Sequence, residues 1–484
     1  MKQLSVSALA ALPASIQRPT YDRGQVKIGI VHLGIGGFHR AHQAVYTDAC
    51  LNEGDLRWGI LGASLRSPQT RDALTPQDGL YTVASRSGEG TEYRVIGSVV
   101  SLMVAPENPA ALVEAMAHPD VKIVSLTVTE KGYCIDPSSG ALDMAHPDIV
   151  HDIAHLNEPI SAPGFIVAAL KQRRERGLKP FTVMSCDNLV SNGEKLRALI
   201  IALATRIDPQ LGAYSAEHVA FPSTMVDRIV PHTVDEDRAM VSKALGVNDA
   251  WPIVTEPFTQ WVIEDHFPEG RPDWGRMGAQ TVKDVTPFET MKLRLLNGAH
   301  SMLALIGSLS GHATVADAMA DHALASFVEA FMVEDVTPIL VVPDGADVPA
   351  YRTALLHRFR NPELKHRLVQ IASDSSQKIP QRFLSTARDR FNKGLPLGRI
   401  AFGLAAFMHF ASGYDRHGAP LELRDPLAPE LKARLDAAGA DAVKAVDAIL
   451  AVEKIFGREL PKNSHFREPI IAAYRALAEG RLSI

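Results

Sequence analysis

Between Lys27 and Asn188, short β-branched apolar runs alternate with stretches of helical spacing, and this alternation constrains the fold more than any other feature. Lys27–Gly34, Arg57–Ser64, Lys122–Thr129 and Phe181–Asn188 have the composition of buried strands. His39–Asn52, Asn108–His118 and Pro163–Arg176 have the helical spacing that would join them. Such alternation predicts a mostly parallel sheet covered on both faces, because each crossover lays a helix on the sheet. Leu80–Arg86 and Glu92–Val104 bracket the small polar turn Ser87–Gly90 and predict an antiparallel addition to that sheet. Pro252–Glu264 and Gln280–Val285 are the last strand-like runs. Beyond Pro287 long Ala- and Leu-rich stretches take over, among them Glu289–Ser308, Val315–Val333, Leu397–Ala411 and Asp441–Phe456. The expected organisation is an α/β domain at residues 1–286 followed by a predominantly α-helical domain at 287–484.

The chain has 484 residues, too many for one ordinary core. Its 46% hydrophobic and 22% charged residues fit a soluble globular protein. A net charge of -5 argues against a nucleic-acid partner. No run approaches the roughly 20 apolar residues of a membrane helix. Met1–Ser15 reads as an N-terminal arm, since only Lys2 precedes the short apolar stretch Ala8–Leu12 and Pro13 follows it. Cys50, Cys134 and Cys186 are widely separated and odd in number, so neither a disulfide framework nor a Cys-rich zinc site is expected. A reduced, cytoplasmic setting without a metal is the simplest fit. Nothing in the sequence specifies an oligomeric state.

The first predicted strand runs into Gly34–Ile35–Gly36–Gly37–Phe38–His39–Arg40. Gly34 suits a tight turn, and Gly36 lets backbone approach a pyrophosphate with no side chain in the way. A following helix would aim unpaired N–H groups and its positive end at the same anion. The run reads as a partial Rossmann-type dinucleotide turn, with His39 at the third glycine position, or else as an ordinary strand-to-helix turn. The second strand ends Gly62–Ala63–Ser64–Leu65–Arg66 without the acid that usually holds the adenosine ribose. Arg66 could face a 2′-phosphate, stack on adenine or lie on the surface, which leaves NAD against NADP open.

Pro287–Phe288–Glu289–Thr290–Met291–Lys292 leads through Asn297 to His300 with the spacing of one helix. At about 100° per residue, Lys292, Glu289, His300 and Asn297 fall at roughly 0°, 60°, 80° and 140°. Four polar groups of different chemistry on one arc suit carbonyl–alcohol interconversion. A desolvated lysine exchanges a proton near neutral pH, an asparagine amide donates to a developing alkoxide, and a histidine holds a neighbouring hydroxyl. The alternative is a polar face at a domain seam, with Lys292 extending toward water. Asn188, at the carboxyl end of a predicted strand, is a second candidate donor to the substrate oxygen or a turn cap.

Together Gly34–Gln43, Ser185–Asn188 and Lys292–His300 resemble the polyol-specific long-chain dehydrogenases, the mannitol dehydrogenase family. Thr127–Tyr133, Met225–Ile229 and Gln260–Asp265 add to the resemblance, which runs from about Arg18 to the C-terminus. It implies a Rossmann-type domain, a helical domain, and a metal-free site in the cleft between them. Lys292 would be the general acid/base, Asn188 and Asn297 would polarise the reacting oxygen, and His300 would position the substrate. NAD would be carried by Ile30, Gly34, Ile35, Gly36, Gly37, Phe38, His39, Arg40 and Ala41, with Arg66, Glu130 and Asp227 beside it. Glu130 would help exchange protons with solvent.

Ser376–Gln377–Lys378–Ile379–Pro380–Gln381–Arg382 resembles the branch of that family acting on D-mannonate. The mannitol branch tends to carry arginine where this chain has Gln370. The implied partner is a small sugar acid, or else a polyol. A buried substrate carboxylate needs a cation, for which Lys378 and Arg382 are candidates. Alternatively Lys378 meets a sugar hydroxyl while Arg382 packs structurally.

Overall fold

In the computed structural model, which describes residues 1–136 and 139–482, the expected parallel sheet is present. The strands of the N-terminal half are β1 (Ile28–Leu33), β2 (Gly59–Ser64), β3 (Tyr81–Ser87), β4 (Gly90–Ile96), β5 (Val99–Val104), β6 (Ile123–Leu126), β7 (Thr182–Ser185), β8 (Thr224–Asp227), β9 (Ile253–Thr255), β10 (Gln260–Glu264) and β11 (Gln280–Val282). Five of them form an all-parallel sheet in the order β5-β2-β1-β6-β7. Helices such as Pro109–Ala117 and Ala162–Glu175 make the crossovers. The chain leaves β1 in one direction for β2 and β5, and fills the other side with β6 and β7. The carboxyl ends of β1 and β6 therefore flank the point where strand order reverses, which is where open α/β sheets bind ligands.

The antiparallel expectation needs correction. Glu92–Val104 is not one strand but β4 and β5, and the two enter different sheets. β3 and β4 form a hairpin with Ser87 opposite Gly90, and β9 joins β3 in a separate sheet. β5 joins the parallel sheet beside β2. The break is fixed by Asp48, whose carboxylate accepts the Gly97 N–H at 2.9 Å and pairs with Arg94 at 2.8 Å. A third sheet has the order β11-β10-β8. The N-terminal arm packs Leu4, Leu12 and Ile16 against Leu80, Ala84 and Val95.

His39–Asn52 is likewise two helices, Gly37–Ala41 and Gln43–Asn52, with His42 at φ -123°, ψ -95° between them. The Arg228 guanidinium takes the Ala41 carbonyl, and the Val45 N–H turns to the His42 carbonyl instead, at 2.9 Å. The helix after β1 is thus too short for a large macrodipole, and its anion-binding capacity lies in the N–H groups of its first turn.

The chain separates into two compact units, Met1–Thr286 and Pro287–Ile484. The second is built on Gly298–Leu309, a helix buried along its whole length. Ile400–Phe410 and Leu368–Ala372 pack on it, and Ser464–Ala478 covers Ile400–Phe410. Three segments of this unit wind as π-helical turns: Leu293–Asn297, Phe331–Val336 and Pro380–Leu384. Among the described residues no helix is long and apolar enough to cross a membrane.

Arg173 shows how polar groups hold the first unit together. Its buried guanidinium donates to the carbonyls of Lys179 at 2.7 Å, His118 at 2.8 Å and Val121 at 3.0 Å. These bonds tie the chain entering β6 and β7 to the helix that covers them. All four tryptophans, Trp58, Trp251, Trp261 and Trp274, lie in this unit, so tryptophan fluorescence follows its unfolding alone. Arg173→Met removes three hydrogen bonds of a buried guanidinium, one of them to the buried Val121 carbonyl, and should lower the urea-unfolding free energy by about 3 kcal/mol.

Candidate active site

At the end of β1 the chain turns at Gly34, whose φ of +92° favours glycine. A Cβ there would stand 2.1 Å from the Thr127 carbonyl oxygen. That carbonyl belongs to the segment leaving β6, so Gly34 lets the two strand ends close on each other. The Gly34 N–H is fixed to Ala63 O at 2.8 Å, and its carbonyl accepts from Thr127 Oγ1 at 2.8 Å. Gly36 is different: a Cβ there would find no other atom nearer than Gly34 O at 3.8 Å. The turn thus keeps open space above extended backbone, followed by the free N–H groups of a helix start. That cradle fits the pyrophosphate of a dinucleotide.

Beneath the turn lies a buried histidine pair. His39 stacks on His32 with ring centroids 3.4 Å apart and planes 16° from parallel. A third glycine normally permits close helix–strand packing; here two flat imidazoles fill that gap. As a neutral ring, His32 donates from Nε2 to Thr127 Oγ1 at 2.9 Å and accepts at Nδ1 from Ser125 Oγ at 2.8 Å, while the Gln43 side-chain amide lies 2.9 Å from Ser125 Oγ. Burial holds the His32 imidazole down at about 3 and His39 well below the usual histidine range, so both are neutral.

The carboxyl end of β7 is organised by Asp187 and Asn192, which sequence reasoning passed over. The Asp187 carboxylate accepts from Val128 N at 2.9 Å, Thr129 N at 3.1 Å and Tyr133 Oη at 2.8 Å. Asn192 donates to Thr224 O at 2.9 Å and Asp187 O at 3.1 Å. Asn188 lies exposed on the loop these bonds fix, and exposed Glu130 sits close enough to raise the Asp187 carboxyl further after burial. The signal in the sequence is the Asp187–Asn188 pair itself, at the carboxyl end of a strand.

The uniform helix expected from Glu289 to Ser308 is corrected to helix Thr286–Lys292, π-helical turn Leu293–Asn297 and helix Gly298–Leu309. A π-helical turn holds more residues than an α-helical one, so each advances less than 100° about the axis. This draws Asn297 and His300 toward the line of Lys292. Lys292 and His300 are buried, 6% and 7% exposed, and Asn297 is half-buried. Burial pushes the His300 imidazole well below its usual range, with further lowering by His366, Arg358, Arg382 and Lys292. His300 therefore stays neutral in a positive field. Its ring lies 4.5 Å from Phe359 and 5.4 Å from His366.

The other candidates are spread more widely. Ile30 and Ala41 are wholly buried in the core around β1, with Ile35 beside them, while Gly37 and Phe38 begin the helix after the turn. Arg40 points away from the turn, donating to Trp251 O at 2.6 Å over the Tyr81 ring. Arg66 is exposed just past β2, and Asp227 is buried at the end of β8. Arg382 donates to Ser301 Oγ at 2.8 Å and Asn297 O at 3.3 Å. The Lys378 ammonium donates to the carbonyls of Ile371 and Ser373. Among the described residues, Cys134, His146 and Asp148 bring possible metal ligands within 4.8 Å of one another. Burial and neighbouring acids push that thiol up to about 12, and His146 Nδ1 already accepts the Asp148 N–H at 3.2 Å. A cation would have to displace both the proton and that bond.

The neutral His32 gives a pH signature. Its folded value lies below the unfolded 6.5, so the unfolded chain binds more protons at mildly acid pH. Stability is full above pH 6.5 and falls as pH drops from there toward 3. His32→Asn should remove about 2 kcal/mol of the stability lost between pH 8 and pH 5. Urea unfolding followed by tryptophan fluorescence at both pH values checks this; an unchanged difference contradicts it.

Residues 28–276 match the model of the mannitol dehydrogenase Rossmann domain, and residues 284–478 that of the mannitol dehydrogenase C-terminal domain. The D-mannonate oxidoreductase of Escherichia coli is 46% identical, covering 96% of this chain and 96% of its own. A mannitol 2-dehydrogenase of Aspergillus fumigatus is 42% identical over 97% of this chain and 94% of its own. The structure of Pseudomonas fluorescens mannitol 2-dehydrogenase, a ternary complex with NAD and D-mannitol, superposes with a TM-score of 0.90 at 40% identity, over 99% of this chain and 98% of that one. The chain belongs to the mannitol dehydrogenase family, oxidoreductases that act on CH–OH groups.

Proposed function

We propose that this chain interconverts D-mannonate and D-fructuronate with NAD, at C5 of the sugar acid, using Lys292 as the proton carrier. Residues 1–286 serve the dinucleotide and residues 287–484 the substrate. The observation that carries the reading is a buried lysine next to an imidazole, His300, that stays neutral. With His300 and His366 both poor bases, Lys292 is the group of this cluster suited to take and return a proton. Its ammonium gives a proton to the carbonyl oxygen during reduction, and its neutral amine receives the hydroxyl proton during oxidation. The carboxamides of Asn188 and Asn297 donate to that oxygen as negative charge builds on it.

NAD is supported by the fit of the Gly34–His39 turn to a pyrophosphate and by the NAD complex of the Pseudomonas relative. Bound there, it supplies or accepts the hydride. A sugar acid is favoured over a neutral polyol by the field around His300, where Arg358, Arg382 and Lys292 all act as positive charges and Lys378 acts on His366. A carboxylate gains from such a field, and a neutral chain end does not. The second reading, oxidation of mannitol, rests on the mannitol 2-dehydrogenase relatives. Three free, buried cysteines suit a reduced cytoplasmic setting.

Lys292→Ala should lower kcat at least about a thousandfold with D-fructuronate and NADH, while NADH binding stays near the parent level. Near-normal turnover refutes the role of the lysine. In the same assays the parent enzyme should show a higher kcat/KM for D-mannonate than for D-mannitol; the reverse order removes the carboxylate reading.

A further inference from the structure

Two imidazole nitrogens in the second unit are enclosed yet have no hydrogen-bond partner: His300 Nε2 and His366 Nδ1. They belong to adjacent rings, 5.4 Å between centroids and 87° between planes, so the edge of one imidazole faces the other. Phe359 walls the His300 ring at 4.5 Å. His366 comes from a connecting segment far along the chain from His300. Its position is set by backbone, since the His366 carbonyl accepts the Val315 N–H at 3.0 Å and Thr314 bridges Arg367.

Each enclosed nitrogen without a partner costs about 1–3 kcal/mol. A pair of them on adjacent rings, one of which feels the buried Lys292, is a set of hydrogen-bonding valences waiting for a ligand. Both rings are neutral: burial and Lys378 hold His366 down at about 4, and His300 lies well below its usual range. A neutral imidazole offers one donor and one acceptor, so the two open nitrogens can serve a hydroxyl group both as donor and as acceptor. The cations nearby would take the acid end of the same molecule.

We propose that His366 is a substrate-binding residue, using its Nδ1 beside His300 Nε2 to engage a hydroxyl of the open-chain substrate. This rests on the reading that the substrate is a hydroxylated sugar derivative. His366 reads the hydroxylated chain, as distinct from the reacting oxygen served by Lys292. A site built to bond a hydroxyl discriminates strongly against a chain that lacks it or points it elsewhere.

The test uses the full-length enzyme with His366→Phe, which keeps a flat ring and removes both nitrogens, and His366→Gln, which restores hydrogen bonding. Steady-state kinetics are measured with D-fructuronate and NADH and with D-mannitol and NAD, and NADH affinity by fluorescence titration. We expect His366→Phe to raise KM for the preferred substrate about tenfold or more, with NADH affinity within about twofold of the parent. His366→Gln should recover part of that loss. An unchanged KM overturns the inference. So does a loss shared by KM, kcat and NADH affinity in both variants, the mark of a merely structural residue. If the parent prefers mannitol, the sugar-acid reading falls, while the KM comparison on mannitol still decides the role of His366.

Discussion

In the proposed mechanism, desolvation of the groups around Lys292 is the constraint on which the chemistry depends. An imidazole in water titrates near neutrality and would compete for the proton of any neighbouring amine. Here burial, joined by Arg358, Arg382 and Lys292, keeps His300 uncharged, and His366 is held neutral by burial and Lys378. The same positive field that discharges the imidazoles would favour the sugar acid proposed as substrate. One physical condition thus separates hydrogen-bonding groups from charge-bearing groups within a small volume. The π-helical winding of Leu293–Asn297 gathers those side chains on a narrower arc than a regular helix allows.

In the first unit the corresponding constraint is space. Gly34 brings the ends of β1 and β6 together, and Gly36 leaves room above the backbone. The stacked His32 and His39 then take up the gap that a third glycine would otherwise close. The His32 side chain bonds within a network of Ser125, Thr127 and Gln43, so the turn is anchored from below by neutral hydrogen bonds. The cradle for an anion is therefore supplied by backbone, and no cation of the turn is needed: Arg40 is engaged elsewhere, at the Trp251 carbonyl.

Much of this was legible in the sequence because it is local. Strand and helix periodicities alternate in the first half and become helical in the second, and that pattern sufficed for the fold class. The failures all involve distant partners. Nothing within Glu92–Val104 announces that Asp48 will hold Gly97 and part the run into strands of different sheets. Nothing within His39–Asn52 announces that Arg228 will take the Ala41 carbonyl. The π-helical turn after Lys292 has no residue signature, so a regular helical wheel spread Asn297 too far from the lysine. Asp187 and Asn192, which hold the loop bearing Asn188, read as ordinary turn residues until their partners are seen. His366 carries no motif; its significance comes only from where its ring stands.

The central claim is that the Lys292 amine meets the oxygen of the carbon undergoing hydride transfer. The most direct measurement is a crystal structure of the enzyme with NAD and D-mannonate bound together. The account predicts Lys292 Nζ at about 2.6–3.2 Å from the C5 oxygen. A complex in which that oxygen lies beyond hydrogen-bond reach of Nζ, with another group in its place, would contradict it.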